Sequence, residues 1–183
     1  MGILRLAPAL LVLGIVPVPA AHAQQPDLST PEKAAMAYMG AMRAGDAMGM
    51  ARLMHPEALA LLRSTLGTVL LTKDAAPFRD QLFPGRDVAA LSDTEFFAGF
   101  LRFAMTQDPD LAQIMRTARM SVVGSVPEAE TVHVLMRLTM TIEGITASKL
   151  EVFSAKRDGS RWLGLLSGDF EIMAAALQRA FGA

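Results

Sequence analysis

The stretch Thr131–Ile142, TVHVLMRLTMTI, alternates without a break. Val132, Val134, Met136, Leu138, Met140 and Ile142 fall on one side of an extended chain. Thr131, His133, Leu135, Arg137, Thr139 and Thr141 fall on the other, which is the period of a half-buried strand. Glu143-Gly144 then turns the chain into a second strand over 146–156. Asp158-Gly159 is a hairpin signal leading into a third strand, 162–167, and 120–126 supplies one more ahead of these. Four neighbouring strands joined by short turns make an antiparallel meander.

Everything upstream has a helical period. Ser29-Thr30-Pro31-Glu32 is a helix start, with a capping hydroxyl and a proline suited to the first turn. That helix carries Ala34, Ala35, Tyr38, Ala41 and Met42 and stops at Gly45. Asp46 caps a short helix over 47–54, which His55-Pro56 interrupts because a residue before proline avoids the α region. A third helix, 56–71, aligns Leu59, Leu62, Leu66 and Leu70. Phe83-Pro84-Gly85 is a turn, and Ser92-Asp-Thr-Glu95 is a capping box that opens a further helix through Phe96, Phe97 and Phe100. A short helix follows Asp108-Pro109, and a last one, capped by Asp169, carries Phe170, Met173, Leu177 and Phe181. Helices first and a meander after define an α+β domain, with N-terminal helices packed on the sheet and a helix at the C-terminal end.

A three-residue loop over 143–145 places Met136 opposite Val152, Leu138 opposite Leu150 and Arg137 opposite Glu151. On that register the helices cover a face of Val134, Met136, Leu138, Leu150, Val152, Leu163 and Leu165. The opposite face mixes Leu135, Phe153 and Trp162 with Arg137 and Glu151. It is too apolar to stand bare, so a second copy, in a homodimer, or the terminal helix is expected on it.

The first residues have a different character. Met1–Arg5 carries one positive charge, 6–16 is apolar, and Pro17–Ala23 ends in the small-x-small pattern Ala21-His22-Ala23. This is a secretory signal cleaved after Ala23; its apolar run falls short of the ~20 residues needed to cross a bilayer. Residues 24–183 then form one domain, exported to the periplasm or beyond, with no membrane span. The full chain has 183 residues, 52% of them hydrophobic, and 17 Lys and Arg against 18 Asp and Glu. That balance excludes nucleic acid as a partner and excludes disorder. Without cysteine there is no disulfide, thiolate metal site or cysteine nucleophile.

The first helix (Thr30–Tyr38), the Gly45-Asp46 break, Met54-His55-Pro56 and the late Asp158-Gly-Ser-Arg-Trp162 resemble the NTF2-like superfamily. The resemblance implies a cone: a curved sheet wrapped around helices and enclosing a pocket. The superfamily includes ketosteroid isomerase-like and polyketide cyclase-like enzymes as well as binding domains without chemistry. The expected reading is a non-catalytic domain that binds a small apolar ligand, in a pocket lined by Tyr38, Met42, Met136, Leu138, Val152 and Leu165, or else a protein partner. The alternative is a cyclase- or isomerase-type enzyme with Tyr38, the single tyrosine, in the pocket. For that chemistry no acid is assignable, since Glu151 and Arg137 fall on the outer face and Asp46 is an N-cap.

His55, before a proline in an exposed loop, is the remaining catalytic candidate, and His133 lies on the mixed strand face. Gly164-Leu-Leu-Ser-Gly168 lacks the spacing of a nucleophile elbow, no glycine-rich phosphate loop is present and no motif calls for a cofactor. Two histidines about eighty residues apart define no metal site. Met36, Met39 and Met42, followed by Met48, Met50 and Met54, are soft ligands suited to Cu(I), a remote reading; filling an irregular core accounts for them as well.

Overall fold

Thr30 accepts a hydrogen bond from the Lys33 amide through its side chain and starts α1, Pro31–Arg43. The helix buries Ala34, Ala35, Met39 and Met42, a stripe with the helical period. Gly45 takes the left-handed conformation (φ 67°) that releases the chain, and Asp46 accepts from the Gly49 amide to cap α2, Ala47–Arg52. Next come α3, Pro56–Leu70, α4, Ala76–Leu82, a 3-10 turn at Val88–Ala90, and α5, Asp93–Gln107. The computed structural model describes residues 26–107, 116–142, 145–168 and 179. The expected signal segment, the short helix after Asp108-Pro109 and the terminal helix lie outside the described residues.

Ser92 and Glu95 form the expected capping box: the Ser92 amide donates to Glu95 Oε2 at 3.0 Å and the Glu95 amide donates to Ser92 Oγ at 3.3 Å. With Arg86 beside it, the box holds the Glu95 carboxyl down to about 2. Helix α4 and the 3-10 turn were not foreseen. Arg63 of α3 holds the turn by donating to the Val88 carbonyl at 2.8 Å, with its guanidinium over the Phe96 ring.

The sheet is the expected meander, in the order β1-β2-β3-β4: Arg119–Glu128, Thr131–Ile142, Ile145–Asp158 and Arg161–Gly164. Every pair is antiparallel, so the fold is α+β. The register between β2 and β3 differs from expectation by one residue. Ile142 pairs with Ile145, which makes the loop two residues, and Met136 stands opposite Glu151, Leu138 opposite Lys149 and Val134 opposite Phe153. Because side chains alternate, one residue of slip exchanges the faces of β3. Phe153 and Ala155 are therefore buried under the helices, whereas Leu150 (56% exposed) and Val152 (54%) lie on the outer face. Phe153 and Glu151, expected on the outer face, belong to the inner one. Their neighbours Leu135 and Arg137 keep their outer positions, and Trp162 is half-buried beside the inner core with Arg157 over its ring.

Strand β4 ends at Gly164, three residues before its expected end, and its free edge is occupied by distant backbone. The Trp162 amide donates to the Leu28 carbonyl at 2.9 Å and the Gly164 amide to the Leu53 carbonyl at 2.8 Å. The His55 amide in turn donates to the Gly164 carbonyl at 2.7 Å. These bonds satisfy an edge that would otherwise be open to another chain.

Two cores result. One joins α2 to α5 through Leu59, Leu62, Leu66, Leu70, Phe83, Phe96 and Phe97. The other lies between α1 and the sheet and contains Met39, Met42, Val134, Met136, Phe153 and Leu163. Tyr38 and Leu101 pack against both, and the seam they mark is where the cavity opens.

Candidate functional site

A cavity of about 470 Å³ occupies this seam. Helix α1 contributes Tyr38, Met39 and Met42, and α5 contributes Phe97, Phe100 and Leu101. The sheet adds Met120, Met136, Leu138, Met140 and Phe153. Met54 and Leu62 close one side, and Leu165, Leu166 and Ser167 follow β4 along another. All six residues expected around a pocket border this one. Tyr38, Met42, Met136, Leu138 and Leu165 do so together, while Val152 reaches it from β3 even though its pairing with Leu135 puts it on the outer face.

The walls are largely thioether and aromatic. Methionine fills irregular space and adapts its shape, so such a wall accommodates a bound apolar molecule without a fixed mould. Tyr38 is partly buried with its ring 5.5 Å from that of Phe153. Burial pushes its hydroxyl up to about 12, which keeps it a neutral donor across the physiological range. Among the described residues no group is hydrogen-bonded to that hydroxyl.

Among the described residues charge enters the lining at one place. Lys149 and Glu151 stand two residues apart on the cavity side of β3 and form an ion pair, their side chains 56% and 42% exposed. The slipped register is what brings Glu151 here, so the cavity does contain a carboxylate. Sequence reasoning missed both residues, because they occupy positions on which the three-residue loop would have left a different face inward. The available signal was Phe153 with Ala155, a pair that the two-residue loop alone brings under the helices and that carries Glu151 and Lys149 to the same side.

His55 is not an exposed loop residue. It is 6% exposed and caps α3, its Nδ1 accepting from the Glu57 amide at 3.2 Å while its own amide holds the edge of β4. Those duties are structural. His133 lies on the outer face between Ser154, 2.9 Å from its Nδ1, and Glu128, 2.8 Å from its Nε2. His133 thus contacts a serine across the β2–β3 pair. Both lie in the sheet: His133 pairs with Val126 of β1 and with Ser154 of β3, and the Ser154 carbonyl accepts from the Leu165 amide at 2.8 Å. The chain Glu128–His133–Ser154 is a cross-strand polar ladder, continued by Thr139 with Ser148 and Thr141 with Thr146.

The methionines do not gather as the N-terminal series suggested. Met36 is 39% exposed and Met50 is buried in the α1–sheet core. Met39, Met42, Met54, Met120, Met136 and Met140, drawn from both halves of the chain, are the ones that border the cavity. Among the described residues no group of three or more His, Cys, Asp or Glu could hold a metal ion, and no helix is long and apolar enough to cross a membrane.

No protein-family model matches this chain, and no curated protein matches it by sequence.

Proposed function

We propose that the protein is an exported binding domain of NTF2-like build, without chemistry of its own, whose cavity holds a small apolar or amphipathic molecule. The observation that carries this is the cavity: about 470 Å³ at the seam of two cores, walled by methionine, leucine and phenylalanine. Its size falls in the range of small-molecule sites, which are mostly apolar with a few placed polar groups. Export rests on the charged, apolar and small-residue succession over 1–23.

The test is native mass spectrometry of the protein purified from the periplasm, beside its denatured mass. A surplus mass that disappears on denaturation, on a chain beginning at Gln24, is the expected result. A chain that retains residues 1–23, or carries no surplus mass and takes up no amphipathic probe, would overturn it.

The enzyme reading gains one observation, since Glu151 borders the same cavity as Tyr38. A carboxylate base and a phenol donor are the pair an isomerase-type reaction uses. Deuterium exchange at the α-carbon of a cyclic ketone, followed by NMR, tests it: exchange lost in both Glu151→Gln and Tyr38→Phe would establish catalysis.

The outer sheet face supports a homodimer. Leu135, Leu150 and Val152 form an apolar centre, with Arg119 and Arg137 towards one end and Glu128 at the other. A two-fold axis through that centre would set the basic end of each copy against the acidic end of its mate.

A further inference from the structure

We infer that the cavity selects an amphipath with a net-neutral head group, zwitterionic or uncharged, and rejects simple fatty anions and alkyl cations of the same chain length. This rests on the cavity being a ligand site and concerns which molecule enters it. The inward side of β3 changes along its length. Ala155 and Phe153 are buried, Glu151 is partly exposed and Lys149 more so, so the apolar end is closed and the charged end meets water. An amphipath therefore enters tail first and leaves its head beside Lys149 and Glu151.

Among the described residues the pair ties Lys149 and Glu151 to each other and to no other element. Its cross-strand neighbours are Leu138 and Met136, which offer nothing to either charge. An ion pair this exposed adds little stability, and two apolar residues would continue the wall. As a recognition element it has a definite preference. A carboxylate head drawn to Lys149 meets Glu151 two residues away, and an ammonium head drawn to Glu151 meets Lys149; each ion gains one attraction and incurs one repulsion. A head that carries both signs, or hydroxyls that donate and accept, satisfies both side chains without opposing either.

The experiment measures binding of four dodecyl amphipaths to the mature protein by calorimetry, each below its micellar concentration: dodecylphosphocholine, monolauroylglycerol, dodecanoate and dodecylammonium. The wild type should bind the first two at least about fivefold more tightly than the two ions. Glu151→Gln should raise dodecanoate affinity about tenfold and leave dodecylammonium weak, and Lys149→Gln should do the reverse. The double variant should bind all four within about threefold of one another. Either ion binding best to the wild type, or a ranking that neither single substitution changes, overturns the head-group inference while leaving the cavity as a ligand site. Failure of all four to bind the wild type overturns the ligand site itself.

Discussion

Tyr38 is the single tyrosine of the chain, so its ionisation can be read directly at 295 nm. Its folded value of about 12 lies above the ordinary value of 10.0, because the phenolate would have to form in an apolar seam. A raised value means that the folded state favours the neutral form. The associated stability is complete below pH 10 and is lost as the pH climbs from about 10 to 12. The expected loss over that window is roughly 2–3 kcal/mol, and Tyr38→Phe should lack this component while matching the wild type at neutral pH. Chemical denaturation of both proteins at pH 8 and at alkaline pH measures the difference. A phenolate midpoint near 10 in the folded protein would contradict it.

Gly164 makes its point through the absence of a side chain. A Cβ there would stand 2.9 Å from the Phe153 ring and 3.2 Å from Met54 Sδ. Gly164→Ala must therefore push Phe153 or Met54 into the cavity, at a cost of about 1–3 kcal/mol and with loss of bound amphipath. Thermal denaturation and the calorimetry described above read the two effects. The sequence marked Gly164 as a strand residue but not as a point of close approach, because Phe153 and Met54 both arrive from elsewhere in the chain. Thr30, Asp46 and Ser92, by contrast, were legible as caps, since each bonds to an amide three residues on.

At the scale of the element, the β2–β3 hairpin decides which residues face the helices. The observed pairing of Ile142 with Ile145 buries Phe153 and exposes Val152; a loop one residue longer would reverse them. Phe153→Ala should cost about 3–5 kcal/mol, and Val152→Ala, at an exposed position, less than about 1 kcal/mol. Urea denaturation of the two variants checks the register, and equal or inverted costs would refute it. The extent of β2 was legible because its alternation runs unbroken for the whole strand. Its register was not, because Glu143-Gly144 closes either a two- or a three-residue loop and both bring a respectable set of apolar residues inward. What separates them is the fit of Phe153 against Tyr38 and Gly164, a contact between residues far apart in the chain.

At the scale of the molecule, the outer face carries exposed Val126 (63%), Leu150 and Val152 beside Leu135, so the homodimer proposed above has a direct test. Leu135→Glu should convert a dimer to a monomer in sedimentation velocity, with little change in the fold by circular dichroism, because it adds a charge at the centre of the apolar patch. A wild-type protein that sediments as a monomer would remove the dimer. The cavity belongs to this scale as well. Its methionines come from α1, the α2–α3 link, β1 and β2, and no window of sequence contains them together. The N-terminal cluster of methionines drew attention because those residues are near one another in the chain, yet only some of them reach the cavity.

From sequence alone one could read α1, α2, α3, α5 and the order of the four strands, the caps at Thr30, Asp46 and Ser92, the α+β class and the burial of Val134, Met136 and Leu138. Each depends on periodicity or on hydrogen bonds within a few residues, and such local preferences act before the chain has collapsed. Only the tertiary structure decided that Glu151 and Lys149 turn inward, that His55 is buried as a cap and that Leu28 and Leu53–His55 occupy the edge of β4. Those outcomes follow from packing between distant segments, where a one-residue choice of register is settled by the shape of the seam that the whole chain closes.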